Sequence, residues 1–142
     1  MPTQKTIATG ATDLRSVLGQ LFRRLRAEQA IPITQGSVLG RLDRVGPLTA
    51  SVLAAGERVR PQSMAQTVAE LETEGLVARR PDPSDRRQTL IELTPAGHAK
   101  VRELRSRGEG WLASAIAAEL NADEQQELLR AIPLLQRLVN RS

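Results

Sequence analysis

Cysteine is absent from this 142-residue chain. That removes disulfides, thiolate metal sites, cysteine nucleophiles and thiol-based redox sensing together. Histidine occurs once, as His98, just past an expected helix start and among polar neighbours. No carboxylate partners for a metal are identifiable beside it, so it reads as an exposed helical histidine. Phe22 and Trp111 are the only aromatic residues, which leaves little material for stacking single-stranded nucleic acid. There is also no Gly-rich phosphate loop, so the chain is not expected to be an enzyme, and no metal or cofactor is expected. No apolar run approaches the roughly 18 residues of a membrane span. The opening MPTQKTIATGAT lacks the apolar centre of a signal peptide. The expected location is cytoplasmic, away from membranes.

What the chain does have is arginine. Basic residues are 18 Arg against 2 Lys, with a net charge of +4 and a pI near 10.9. An arginine-biased, GC-rich genome explains part of this. Arginine also suits phosphate and base recognition better than lysine, so an anionic partner is favoured. A hydrophobic content of 40% and a charged content of 25% suit one folded domain, or a small domain with oligomerisation arms.

Residues 1–11 are small and polar and are expected to be a disordered tail. From Thr12 to about Gln29, Leu14, Val17, Leu18, Leu21 and Leu25 recur at helical spacing. Thr34 can cap a second helix running to about Val45, and Gly46-Pro47 is a strong stop signal. Thr49 then caps a short third helix. Pro61 favours the first turn of a fourth, where its missing N–H is unpaired anyway. In that helix Met64, Val68 and Leu71 form an inward stripe, and Gln62, Ser63, Gln66, Thr67 and Glu70 lie off it. Gly75 closes it. Thr94-Pro95 opens a long fifth helix with Val101, Leu104, Trp111, Leu112, Ala115, Ile116 and Leu120 on one side, weakened midway by Gly108 and Gly110. Asn121 with Glu124 looks like a capping box for a sixth. That helix is expected to place Leu128, Leu129, Ile132, Leu135, Leu138 and Val139 inward, with Pro133 as a candidate kink.

Between the fourth and fifth helices, Leu76-Val77-Ala78 and Leu90-Ile91-Glu92-Leu93 flank a tip with two prolines and two aspartates, and the stretch carries Arg79, Arg80, Arg86 and Arg87. This reads as a β-hairpin. Following a compact run of helices, it suggests the wing of a winged helix-turn-helix, with double-stranded DNA as partner. The expected fold is therefore mainly α with a small β-hairpin wing. Residues 34–93 form the winged helix-turn-helix core, and residues 12–29 and 95–142 are flanking dimerisation helices. Those helices carry more apolar surface than so small a core can cover, which points to a homodimer, with a monomeric helical bundle as the plainer alternative.

Several motifs then coincide. Asp85-Arg86-Arg87-Gln88-Thr89-Leu90-Ile91-Glu92-Leu93-Thr94 fits the pattern D-x-R-x-x-x-[IV]-x-L-T at every fixed position. Leu53-Ala54 and Leu71-Glu72-Thr73-Glu74-Gly75-Leu76-Val77 fit LA…LE-x-x-GLV, and Gly46-Pro47-Leu48-Thr49 matches GPLT. With these motifs the chain resembles the MarR (multiple antibiotic resistance regulator) family of bacterial transcription factors over nearly its whole length.

In a winged helix the fourth helix enters the major groove, where base pairs differ in hydrogen-bond pattern. Gln62, Ser63 and Gln66 are suitable readers there, and Pro61 and Ala65 could supply apolar contact. Many relatives place Arg at the position of Gln66, and the departure argues against a guanine preference. The resemblance implies that Arg87 inserts into the minor groove, held by Asp85. It makes Arg79, Arg80, Ser84 and Arg86 backbone contacts. It further implies a repressor that binds a pseudo-palindrome as a dimer. A small phenolic or anionic effector would bind near Phe22, Arg26 and Trp111 and cause release. Plainer readings stand beside these. Asp85 as a turn cap, Arg86 as a solvated side chain, Gln66 as a surface residue and Trp111 as stem packing are all open, as are a regulator without effector control and a winged-helix protein-interaction module.

Overall fold

The computed structural model describes all 142 residues, with the order α1 (Gln4–Glu28), α2 (Ile33–Val45), β1 (Leu48–Thr49), α3 (Ala50–Glu57), α4 (Pro61–Thr73), β2 (Val77–Pro81), β3 (Thr89–Leu93), α5 (Pro95–Glu119) and α6 (Ala122–Val139). No helix is long and apolar enough to cross a membrane. The expected helix order and hairpin are present. Three side-chain caps fall at the expected residues: Thr49 accepts from the Val52 N–H, Thr94 from the Gly97 N–H, and Asn121 forms a reciprocal capping box with Glu124.

Four local expectations need correction. Helix α1 starts at Gln4, not Thr12, so most of the expected disordered tail is helical. The Thr3 side chain accepts from the Thr6 N–H at 3.2 Å and begins the helix. Gly10 opposes propagation most, by about 1 kcal/mol relative to Ala, and the β-branched Thr6, Ile7, Thr9 and Thr12 less. Helix α2 is entered from Pro32, whose ψ of 139° is extended, so Thr34 is already inside it and caps nothing. Thr67 is buried rather than off the inward stripe of α4. It lies three residues after Met64 and four before Leu71, and its hydroxyl donates to the Ser63 carbonyl at 3.1 Å. Finally, β1 adds a third strand. It pairs antiparallel with β3 through Leu48 opposite Ile91 and Thr49 opposite Leu90, giving the sheet order β1-β3-β2. Two residues are too few to display an alternating pattern, so the sequence shows the hairpin alone.

The core lies entirely within residues 38–104. Val38, Leu39 and Leu42 of α2 meet Leu53 of α3, Met64, Val68 and Leu71 of α4, Val77 and Ile91 of the sheet, and Val101 and Leu104 of α5. A fully buried side chain of this kind contributes about 1.5–3 kcal/mol. That cluster is what holds α4 and the hairpin at a fixed angle. Gly75, with φ +74°, turns the chain from α4 into β2. The Thr94 hydroxyl donates to the Gly75 carbonyl at 2.6 Å, closing the hairpin base against the α4 terminus. Gly97 is required at the same junction, because a Cβ there would collide with the Leu76 carbonyl.

Neither α1 nor α6 contains a buried residue. Helix α1 leans on α5, whereas α6 leaves Leu128, Leu129, Ile132, Leu138 and Val139 exposed. Helix α6 runs unbroken through Pro133.

Candidate nucleic-acid interface

Helix α4 presents a two-sided surface. Met64, Val68 and Leu71 face the core at 0–1% exposure, while Pro61, Gln62, Ser63, Ala65 and Gln66 are all exposed. The helix carries no lysine or arginine and contains Glu70 and Glu72. Its outward chemistry is therefore that of neutral amides and hydroxyls. Such groups can recognise base edges in a major groove but supply no charge to hold a polyanion. Any electrostatic grip must come from around it.

Two arginines in the α3–α4 turn, not singled out from sequence, stand in the right place. Arg58 caps α3 in the left-handed region, with φ 54° and ψ 43°, and Arg60 is the N-cap of α4. Both are exposed and neither enters an ion pair. Their signal in the sequence is their position directly before Pro61.

The wing tip, residues 82–88, is built by two aspartates. Asp82 Oδ1 accepts from the Ser84 hydroxyl at 2.7 Å and from the Ser84 N–H at 2.9 Å, and these bonds lower the Asp82 pKa below 3.8. The Ser84 hydroxyl proton is thus already used, and a phosphate contact from it would have to break this bond. Asp85 grips Arg87 from both sides. Its Oδ1 accepts from Arg87 Nε and from the Arg87 backbone N–H, both at 3.1 Å, and its Oδ2 accepts from Nη2 at 3.3 Å. The side-chain bonds first, then the backbone bond, hold the Asp85 pKa below 3.8. Asp85 is therefore both the turn cap and the partner of Arg87, the two readings that sequence leaves open. The Arg87 side chain stays 90% exposed, so it is aimed without being covered. Arg86 is exposed and enters no ion pair.

The strand arginines are arranged differently. Arg79 Nε lies 3.2 Å from the Glu72 carboxylate of α4, and Arg80 Nε lies 2.8 Å from Glu92 across the hairpin. Each is engaged through Nε with another element of the protein, and the Nη groups of these half-exposed side chains are left as their free donors. Arg79 instead offsets one of the two acidic charges on α4.

The three residues expected near an effector do not all come together. A hollow of about 490 Å³ opens where α1 ends and α2 begins, lined by Phe22, Arg26, Ala27, Ile31 and Ile33 among others. Arg26 donates to the Ile33 carbonyl and to Ser37 Oγ, both at 2.9 Å, and its guanidinium lies 4.7 Å from the Phe22 ring centre. Trp111 is not part of this wall; the Arg24 guanidinium sits 5.3 Å from its ring instead.

Residues 31–88 match the MarR family pattern. The chain is 36% identical over 135 residues to an HTH-type transcriptional regulator of Mycobacterium tuberculosis, covering 93% of this chain and 94% of that protein. The chain belongs to the MarR family. It is a transcriptional regulator with a DNA-binding winged helix, not an enzyme. Among solved structures, a candidate transcriptional regulator of Pseudomonas aeruginosa PA01 is 36% identical, covers 99% of both chains and superposes with a TM-score of 0.84. A mutant of MepR from S. aureus, bound to an oligodeoxyribonucleotide, shares the MarR fold at a TM-score of 0.67 and 18% identity, over 92% of this chain and 97% of that one.

Proposed function

We propose that this MarR regulator is a homodimeric repressor that grips a pseudo-palindromic operator with two α4 helices and two wings and is released by a small effector. Residues 34–93 act as the DNA-binding domain, and residues 12–29 and 95–142 as the dimerisation arms. The observation that carries the reading is the combination of an exposed amide face on α4 with Arg87 aimed by Asp85 at the adjacent wing tip. Gln62, Ser63 and Gln66 read the major groove, with Pro61 and Ala65 in apolar contact. Arg87 enters the minor groove, and Arg58, Arg60 and Arg86 contact phosphates.

The dimer is supported by the uncovered apolar faces. Val17 and Leu18 of α1 and Leu129, Ile132 and Leu138 of α6 are left 43–63% exposed, and Leu14 and Leu128 38% and 37%, so these faces are only partly covered within the chain. Large contiguous apolar surfaces of this kind mark interaction sites. A twofold axis would place half-sites about one helical turn, roughly 10 bp, apart. The effector reading is supported by the hollow at Phe22 and Arg26. It joins the stem helix α1 to α2 of the reading head, so a phenolic or anionic occupant could favour one spacing of the two heads over another.

A single titration tests the core of this. Full-length protein is added to duplex DNA from its own upstream intergenic region at several salt concentrations, with molar mass measured in parallel by light scattering. The expected result is a dimer whose affinity falls steeply with salt. A monomer in solution and on DNA would remove the dimer. Release by none of a set of phenols and aromatic carboxylates would leave a regulator without effector control. Absence of salt-dependent binding to any duplex would favour a protein-interaction module.

A further inference from the structure

We infer that Glu70 is the positioning residue of the reading helix, fixing the orientation of the Gln66 amide and itself held from behind by Gln35 of α2. The inference rests on the reading of α4 as the base-contacting element. Gln35 is 6% exposed, one of only two buried polar residues in the chain. Its Nε2 donates to Glu70 Oε2 at 3.0 Å, and Gln66 Nε2 donates to Glu70 Oε1 at 3.3 Å. Both oxygens of one carboxylate are thereby engaged, one by a core amide and one by a surface amide a helical turn away.

Three features make this more than a surface bond. Glu70 enters no ion pair with Lys or Arg, although Glu72, Glu92 and Glu57 each pair with an arginine. An unpaired carboxylate in the middle of a helix that must approach a polyanion opposes binding, so its presence calls for a compensating role. Gln35 is anchored in the core beside Val38, Leu39 and Leu42, and a buried amide with nothing to donate to would carry a desolvation penalty. Glu70 therefore has a rigid anchor. Lastly, a glutamine amide left to itself rotates freely about its terminal torsion, exchanging its oxygen and nitrogen. The carboxylate accepts only, so it always holds the nitrogen side.

That constraint has a reading consequence. With one N–H committed to Glu70, the remaining N–H and the carbonyl oxygen of Gln66 form one donor–acceptor pair of fixed polarity. Adenine offers an acceptor at N7 and a donor at N6, which such a pair matches in one orientation only. Thymine offers an acceptor and a methyl group, so the fixed pair makes one bond there and leaves its carbonyl oxygen against the methyl, whereas a freely rotating amide could turn that oxygen away. Glu70 thus restricts Gln66 to adenine over thymine at one position of each half-site.

The test uses full-length protein and a duplex selected by the wild type from a randomised pool. Affinity is then measured for all four base pairs at each half-site position, for wild type, Gln66→Ala, Glu70→Ala, Gln35→Met and the Gln66→Ala/Glu70→Ala double variant. A bidentate amide–adenine pair discriminates against a wrong base by about 5- to 150-fold. Glu70→Ala and Gln35→Met are expected to erode that preference by about threefold to tenfold, at the same base pair that Gln66→Ala affects and nowhere else. The double variant should be no worse there than Gln66→Ala alone. Affinity of Glu70→Ala for random duplex should rise, because a negative charge facing phosphate is gone. If Glu70→Ala lowers the melting temperature, Glu70→Gln, which keeps the shape but has only one acceptor, must show the same single-position loss. Unchanged base preferences in Glu70→Ala with normal affinity would overturn the positioning role alone. Equal loss at every position would make Glu70 merely structural. Wild type that binds no duplex would overturn the reading of α4 and this inference with it.

Discussion

Replacing Arg87 and Arg79 separately distinguishes two kinds of arginine that the sequence presents side by side. Arg87 is 90% exposed and held only by Asp85, whereas Arg79 is tied to Glu72 of α4. Around the face formed by α4 and the wing, Arg58, Arg60, Arg86 and Arg87 are exposed and not committed to another element. Three such cations at phosphates and one in the minor groove, on each of two protomers, would bring eight positive charges against the duplex and displace about as many counterions, which sets a slope of log K against log salt of about −7. Arg87→Ala removes one from each protomer, so the slope should relax to about −5. Specific affinity should fall by about 1–3 kcal/mol per half-site, roughly 5- to 150-fold. Arg79→Ala leaves the phosphate contacts intact and should keep the slope near −7, with a modest affinity loss from the unmasked Glu72 charge. Since that pair is solvent-exposed, its loss should alter folding stability by only about 0.2–1 kcal/mol. Fluorescence anisotropy on one cognate duplex between about 50 and 200 mM salt resolves these slopes. An Arg79→Ala slope reduced by two with an Arg87→Ala slope unchanged would refute the assignment of roles.

Three further outcomes are expected. Arg58→Gly should stabilise the fold by about 1 kcal/mol, because Arg58 adopts a left-handed backbone that costs a side chain about that much, while making the salt slope less steep; thermal melting and the DNA titration should move in opposite senses. Gly97→Ala should destabilise by about 1–3 kcal/mol or more, since its Cβ meets a backbone carbonyl that cannot swing aside; an unchanged denaturant midpoint would show that α5 does not dock as described. The Asp85 carboxyl, read by NMR, should titrate below 3.8 and move back toward that value in Arg87→Ala. A lowered folded pKa means that the wing pair is fully formed above pH 3.8 and is lost only as pH falls through the lowered value. It therefore contributes no break to DNA binding between pH 5 and 8.

Elements with strong local signals are legible in the chain itself. Thr49, Thr94 and Asn121 announce their helices because caps act over three residues, and Asp85 announces Arg87 because they are two residues apart. At these positions the local chemistry survives folding, whereas Thr34 offers the same signal and lies inside α2. Elements that depend on distant partners are not legible in this way. β1 exists only because β3 lies beside it, and Gln35 is one more polar residue until Glu70, far along the chain, comes within 3.0 Å. The ion pairs of Arg79 and Arg80 are hidden for the same reason: Glu92 reaches Arg80 only once the two strands pair, and Glu72 reaches Arg79 only once the hairpin packs against α4.

The class of this protein is set by short-range features of its sequence: helical periods, turn residues and the wing motif specify a winged helix with an arginine-bearing tip. Tertiary packing selects which of those arginines remain available and which side chains contact the exposed face of α4. Availability is a matter of what lies within a few ångströms in space. Only the packing of α2, α4 and the hairpin on one core brings Glu70 to Gln35 and Glu72 to Arg79, and so separates the side chains left exposed from those engaged within the protein.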